Sequence, residues 1–407
     1  MKNHSFKFLK NIIVLVLLYS FLAAGCSSDD EGSVPPPPPP PTPLDITDMS
    51  PSEGPKNTIV TITGTGFSTT MAENEVTLNG LVCPVSAATG TELKVTIPPK
   101  AGPGKLIVEV KGKTAETTEF SYVFTVVVTT LAGSDAGDGV KFQYPSGITT
   151  DQYGTIFVAD NENGKIKKVT PEGVVAILAG DGVGEIEKFE SPNGVAADKN
   201  GNVYVADQNN SQIKKVNQLG GVSIFAGSSQ GDGEKFYKPS SVAIDKDGNL
   251  YVSDTNNAKI KKITPSGVVT TFAGSTVGDG DKFNQPKGVA VDKDGNVYVA
   301  DHNNHKIKKI TPAGEVTTLA GNSKGDGDQF NFPFGVAVDS KGTVYVADTF
   351  NHKIKMVSPS GQVTLLAGDE MGDGDNFYYP EALTVHSDGT IYVADSDNNK
   401  IKKIVLE

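Results

Sequence analysis

Short runs in which apolar and polar residues alternate recur along the chain, separated by clusters of Gly, Pro, Asn and Asp. An alternation of period two is the mark of half-buried strands, whose successive side chains face opposite sides of a sheet. From residue 126 onward the runs themselves repeat. Val-Ala-Asp or Val-Ser-Asp triplets end at Asp160, Asp207, Asp254, Asp301, Asp348 and Asp395, each 47 residues after the last, and Pro145, Pro192, Pro239, Pro286, Pro333 and Pro380 keep the same step. Each copy holds four strand-like runs, as in residues 288–292, 296–301, 306–310 and 315–321.

Four strands at this period form the blade of a β-propeller, and six copies in register give six blades. The two ends test the idea. The last copy stops at 400–404 without a fourth strand, while Val126-Val127-Val128-Thr129-Thr130-Leu131-Ala132-Gly133 reads as a fourth strand with no three before it. The N-terminal strand is therefore expected to complete the last blade and remove the open edge. The motifs Gly-Val-Ala-Val-Asp, Asp-Gly-Asn-Val-Tyr-Val-Ala-Asp and Asn-His-Lys-Ile resemble the NHL-repeat family over all of 126–407. That resemblance implies the propeller and leaves the function open.

Ahead of the repeats, residues 59–63, 75–78, 93–97 and 105–110 alternate in the same way over some 80 residues, which suits a small immunoglobulin-like sandwich. Ser50-Pro51-Ser52-Glu53-Gly54-Pro55, Val60-Thr61-Ile62-Thr63-Gly64-Thr65-Gly66-Phe67 and Ile97-Pro98-Pro99 resemble the IPT/TIG family. Its members are usually spacers or interaction modules, and no site residues carry over.

The first 25 residues read as a leader to be removed. Lys2, Lys7 and Lys10 precede an apolar stretch from Ile12 to Leu22 and the small residues Ala23-Ala24-Gly25. Leu22-Ala23-Ala24-Gly25-Cys26 resembles the lipobox of bacterial lipoproteins, with the Leu displaced by one place, and implies lipidation of Cys26. Cys26-Ser27-Ser28-Asp29-Asp30-Glu31 resembles the export tag of Bacteroidetes surface lipoproteins, which implies an outer-membrane anchor facing outward. Seven consecutive prolines from Pro35 to Pro41 form an extended spacer of about 20 Å. The expected organisation is a lipoprotein signal peptide over 1–25, a polar and polyproline linker over 26–43, an IPT/TIG domain over 44–124 and the propeller over 125–407.

Composition agrees with an all-β chain: 45 Gly and 24 Pro with no Trp. The formal charge of −12 becomes three units more negative once the leader lysines are lost, which disfavours nucleic acid as a partner. Cys83 is the only other cysteine, expected as a small buried hydrophobe. A monomer is expected.

Antiparallel neighbours force the d-to-a and b-to-c connections of every blade onto one face, counting strands a to d from channel to rim. Residues that recur from copy to copy there are expected to be structural, the second copy having Gly184-Glu185 in place of Gly-Asp-Gly. The Phe series 142, 189, 236, 283, 330 and 377 should plug between blades, and the Asp of the Gly-Asp-Gly loops (Asp138, Asp232, Asp279, Asp326, Asp373) should cap backbone N–H groups, with calcium as the alternative. No cofactor is otherwise implied. A ligand site belongs where copies differ. Phe332, Phe334, Phe350, Tyr378, Tyr379 and Tyr144 replace polar residues of other copies and should share one sector of that face. Exposed, they would form a binding surface that stacks on sugars; the alternative is packing between blades or under the sandwich.

Catalytic constellations are weak. His305 and His352 occupy one position in adjacent copies, but no further His or Cys completes a zinc site. His386 replaces the Asp at 151, 198, 245, 292 and 339. Gluconolactonase-like propellers use a metal held by Glu, Asn and Asp, and no matching set is evident. The Asp-x-Asp-Gly-Asn segments lack the twelfth ligand of a calcium loop and read as hairpin turns. The Lys-Ile-Lys-Lys runs that include Lys165, Lys259, Lys306 and Lys400 read as solvated, snorkelling lysines. The expectation is a non-catalytic surface lipoprotein binding an extracellular glycan or peptide. The alternatives are a protein-interaction scaffold in an outer-membrane uptake complex and a metal-dependent lactonase or lyase.

Overall fold

A computed structural model describes residues 42–407, apart from 100, 134–140, 181, 183–185, 228–234, 275–281, 323–324, 326–328, 369–370, 373 and 375. The leader, Cys26, the polyproline run and the Asp residues of the Gly-Asp-Gly loops lie outside the described residues.

The alternating runs before residue 123 pair into two sheets. One orders Asp45–Ser50, Ile59–Thr65, Glu92–Thr96 and Val85–Ala88; the other orders Glu53–Gly54, Lys113–Tyr122, Gly104–Val110, Asn74–Leu78 and Leu81–Val82. Their inward residues, among them Val60, Ile62, Leu93, Leu106, Val108 and Phe120, form one core between the sheets, as period two requires of a sandwich. Cys83 sits in that core, and burial pushes its thiol up to about 11, so it behaves as an inert apolar group.

The repeats form six four-stranded antiparallel sheets, the blades of a closed propeller. Strand b of every blade, for example Val297–Asp301, is buried along its whole length because neighbouring blades cover both of its faces. The apolar residues collect into six separate cores, each shared by two adjacent blades; Ala132, Phe142 and Val158 meet Tyr392, Ala394 and Ile401 in one of them. The fourth strand of the last blade is Val126–Ala132, lying antiparallel on Lys400–Leu406 with Val126 opposite Leu406 and Val128 opposite Ile404. Thr125 and Glu407 then exchange two backbone hydrogen bonds of 2.9 Å, so the ring is closed by chain ends some 280 residues apart in sequence. Strands a crowd around the axis. A Cβ on Gly147 would stand 1.9 Å from the Asn193 carbonyl oxygen, and one on Gly288 would stand 2.4 Å from that of Phe334. Among the described residues no helix is long and apolar enough to cross a membrane.

The lysines of strand c depart from the solvated reading. The third residue of each run, Lys167, Lys214, Lys261, Lys308, Lys355 or Lys402, is at most 2% exposed. Its ammonium lies 2.6–2.9 Å from an oxygen of the blade Asp, 160, 207, 254, 301, 348 or 395. It also stands 4.8–5.5 Å over the ring of the Phe that precedes the blade. The Asp Oδ1 accepts a backbone N–H at 2.7 Å from Gln143, Glu190, Tyr237, Asn284, Asn331 or Tyr378. Its Oδ2 accepts an amide N–H from Asn163, Asn210, Asn257, Asn304, Asn351 or Asn398 at 2.7–2.8 Å. The reason is register: Lys167 pairs with Val158, two residues from Asp160 on the same side of the sheet, so the two charges are diagonal neighbours. Snorkelling needs a route to water, and here the adjacent blade closes it. Burial nonetheless holds the carboxyls of Asp254, Asp301, Asp348 and Asp395 above their usual range, against the pull of the lysine. The cluster repeats six times and fixes the d-to-a loop to its own blade.

The turn reading of Asp-x-Asp-Gly-Asn agrees with the geometry. Asp245 Oδ1 accepts N–H groups from Asp247 and Asn249 at 3.0 and 2.8 Å, an Asx turn.

Candidate functional site

On one face of the ring the d-to-a and b-to-c segments lie together. The Asn161 and Glu162 N–H groups donate to the Tyr144 and Gln143 carbonyls at 3.3 and 3.2 Å. The residue before each blade proline is left-handed in every copy, with φ of +48° to +60° at Tyr144, Ser191, Lys238, Gln285, Phe332 and Tyr379. Such a conformation is costly for residues with a Cβ, and in three copies a side chain of the preceding blade secures it. Tyr144 N–H donates to Asn399 Oδ1 at 2.7 Å, Phe332 N–H to His305 Nδ1 at 3.0 Å and Tyr379 N–H to His352 Nδ1 at 3.1 Å. The two histidines considered as zinc ligands thus present an unprotonated Nδ1 to a backbone donor. Among the described residues no three His, Cys, Asp or Glu side chains come together as a metal site.

A second clasp joins blades 3, 4, 5 and 6 each to the blade that follows, and Asn161 does the same for blade 1 by donating to the Pro192 carbonyl at 3.0 Å. Thr255, His302, Thr349 and Ser396 reach the carbonyls of Pro286, Pro333, Pro380 and Pro145 at 2.7–3.1 Å. A carbonyl only accepts, so His302 carries its proton on Nδ1. Burial lowers the pKa of His302 to about 4 and also lowers that of His352.

Five of the six aromatic residues singled out in the sequence fall into one continuous belt. Phe334 and Phe332 flank His302 with ring centroids 5.7 and 5.1 Å away; Phe332 meets Phe350 at 5.1 Å, Phe350 meets Tyr379 at 5.2 Å, and Tyr379 meets Tyr378 at 5.3 Å. His352 lies 4.6 Å from Tyr379. Phe350 is 45% exposed, and the other rings are half-buried. The belt spans blades 5 and 6, packed on its underside and open above.

Tyr144 stands apart from this belt. Its hydroxyl donates to Glu381 Oε1 at 2.6 Å, which holds the phenol well above its usual range, burial contributing most. Glu381 is 7% exposed, and its Oε2 is buried with no hydrogen-bond partner. Burial pushes its carboxyl up to about 7, the Tyr144 bond and the Lys287 charge pulling the other way. Glu381 belongs to a ring of six side chains, each just after a blade proline, at the mouth of the central channel: Ser146, Asn193, Ser240, Lys287, Phe334 and Glu381. Below them the strands a enclose a cavity of about 50 Å³ lined in part by Ser146, Asn193, Ser240, Phe334 and Glu381. Lys287, half-buried, places its ammonium 5.0 Å over the Phe334 ring, and burial lowers its pKa. The sequence pointed to the variable positions; the pairing of Glu381 with Tyr144, and the histidines inside the belt, came only with the ring.

On the opposite face, a cleft of about 940 Å³ lies between Asn79, Pro103 and Phe124 of the sandwich and Tyr345, Met356 and His386 of blades 5 and 6.

Family models divide along the same lines. An IPT/TIG domain matches residues 43–144, running past the sandwich over the first strand of the ring, and NHL repeats match 142–169, 330–355 and 377–404. The chain is an NHL-repeat propeller protein with an N-terminal IPT/TIG domain. An SMP-30/gluconolactonase/LRE-like region matches 181–321 of the same ring. No curated protein matches the chain. Among solved structures, this NHL propeller is similar to a structural genomics protein of unknown function from Bacteroides thetaiotaomicron, with a TM-score of 0.60, 21% identity, and 90% of this chain and 98% of that chain covered. It is also similar to auxiliary nutrient binding proteins from B. thetaiotaomicron (TM-score 0.56, 16% identity, 90% and 98% covered) and Bacteroides ovatus (TM-score 0.54, 19% identity, 92% and 100% covered). At these identities the likeness establishes the shared fold.

Proposed function

We propose that the chain is a non-catalytic surface lipoprotein, anchored in the outer membrane through acylated Cys26, that binds an extracellular glycan or peptide on the d-to-a/b-to-c face of its propeller. The observation that carries this reading is the belt of Phe332, Phe334, Phe350, Tyr378 and Tyr379, a contiguous aromatic surface found in two blades of an otherwise repetitive ring. Aromatic rings supported from below and open above suit stacking on sugar faces or side chains. Two proteins of this fold are known as auxiliary nutrient binding proteins, which supports a binding role. The SMP-30/gluconolactonase match keeps a metal-dependent lactonase or lyase as an alternative, and the described residues offer no three-ligand set for it. A scaffold in an uptake complex is favoured only by the cleft beneath the sandwich.

The test is binding of the mature protein to glycan and peptide arrays, with and without EDTA, alongside a Phe332/Phe334/Tyr379 triple alanine variant of unchanged circular dichroism. Binding that survives EDTA and disappears in the variant is expected, as is loss of the Cys26→Ser protein from the membrane fraction. Undiminished binding by the triple variant refutes the site, and loss of wild-type binding in EDTA moves the reading to the metal enzyme.

A further inference from the structure

At the centre of the proposed binding face the channel mouth carries two opposite charges that do not meet. Glu381 of blade 6, one of the residues lining the 50 Å³ cavity, keeps a buried Oε2 with no hydrogen-bond partner. Lys287 of blade 4 holds its ammonium over Phe334, and among the described residues no carboxylate lies within ion-pair distance of it. Each nevertheless acts on the other's ionisation. Glu162 and Asp397 add negative charge near Tyr144, and Lys238 adds positive charge near Lys287. The mouth is therefore electrically two-ended, acid over blades 6 and 1 and base over blades 3 and 4, with Phe334 between.

A buried carboxylate oxygen without a donor is costly, and a cationic donor offsets that cost better than a neutral hydroxyl. The cavity admits only a few water-sized groups; it can take an ammonium head and excludes a sugar or aromatic ring, which must stay on the belt outside. Resting on the binding-face reading above, we infer that the channel mouth is a subsite for a zwitterionic ligand, an amino acid or short peptide whose primary ammonium hydrogen-bonds to Glu381 Oε2 and whose carboxylate pairs with Lys287. Phe334 would then contact the ligand between its two charges, and Tyr144 would hold the Glu381 carboxylate in place as a positioning residue.

Glu381 must be ionised to receive the ammonium, so binding acquires a proton linkage. Around this carboxyl and its partners stand the Tyr144 phenol, which is held well above its usual range, the ammonium groups of Lys287 and Lys238, the carboxyl of Asp397, which burial raises, and that of Glu162. His302, near Lys287, stays neutral until about pH 4. Glu381 is the group that titrates near neutrality.

The experiment is calorimetric titration of the mature protein with glycine, diglycine and triglycine, a ruler of increasing charge separation, together with N-acetyl-diglycine, diglycinamide and glucose. One member of the ruler should bind best, with N-acetylation abolishing binding and amidation weakening it. Glu381→Gln, which keeps the Tyr144 hydrogen bond, should lose about tenfold or more in affinity without a lower Tm, and Lys287→Met should lose the difference between diglycine and diglycinamide. Wild-type affinity should fall about tenfold per pH unit on acidification below neutrality and be flat in Glu381→Gln. Equal binding of the N-acetylated peptide, unchanged affinity in Glu381→Gln, or glucose binding that requires Glu381 overturns the inference. Should these fail while the aromatic triple variant still abolishes array binding, the binding face stands and only the zwitterion subsite falls.

Discussion

Replacing Lys308 by Met tests the buried charge cluster most directly, because Met keeps most of the stem volume and removes only the ammonium. Lys308 and Asp301 are both 0% exposed and 2.8 Å apart. At an effective dielectric near 20, the attraction across that gap is about 6 kcal/mol before the cost of desolvating the ammonium is set against it. Removing one partner leaves Asp301 charged, buried and held only by the Asn284 N–H and the Asn304 amide, and breaking such a pair costs about 3–5 kcal/mol. Domains of moderate size lose roughly 2–4 °C per kcal/mol, so a Tm lowered by about 6–20 °C in differential scanning calorimetry is expected. Adding Asp301→Asn removes the stranded charge and should restore most of the loss. The pH dependence has a definite sign. Burial already raises the Asp301 carboxyl above its unfolded value, and loss of the lysine raises it further. The ionised form is then penalised, and the deficit of Lys308→Met should shrink as pH falls from 7 towards 5. A solvated lysine would instead change stability by no more than about 0.5 kcal/mol. A loss that small, with no recovery in the double variant, would show that the cluster contributes nothing to the blade.

Two further outcomes follow from single irregularities in the ring. His302 has a folded pKa of about 4 against an ordinary 6.5, so its contribution is complete above about pH 6.5 and is lost as pH falls towards 4. Relative to His302→Gln, which places there the residue that blade 2 carries as Gln208, the wild type should lose up to about 3 kcal/mol across that window; parallel Tm curves for the two proteins would contradict the assignment. In blade 6, His386 cannot make the Asx turn of the other five blades and instead leans on Asp388 at 3.1 Å. His386→Asp should restore a carboxylate acceptor for the backbone N–H groups of the turn, as Asp245 provides in blade 3, and raise stability by about 1 kcal/mol, and an unchanged or lowered Tm in thermal denaturation would refute that account.

Much of the fold was written in local pattern. Period-two alternation fixed where strands lie, the 47-residue step counted the blades, and the missing fourth strand after Ile404 named its replacement before any coordinate was needed. The same regularity marked Phe332, Phe334, Phe350, Tyr378 and Tyr379 as departures, and departures are visible in one chain because the other copies serve as its background. What the sequence could not supply depends on which side of a blade faces a neighbour. Lys308 and Lys309 look alike in a string, yet one sits opposite Val299 on a side that the next blade seals, and the other reaches towards the Tyr298 ring. His305 and His352 stood in the sequence only as an incomplete pair, and their role became visible when the following blade presented a backbone N–H to each. Glu381 and Tyr144 are 237 residues apart and meet only because the ring closes. Strand formation is decided by nearest neighbours along the chain. Burial, protonation and the two-ended mouth are decided by neighbours across it, and these exist only once the six blades have been brought round to one axis.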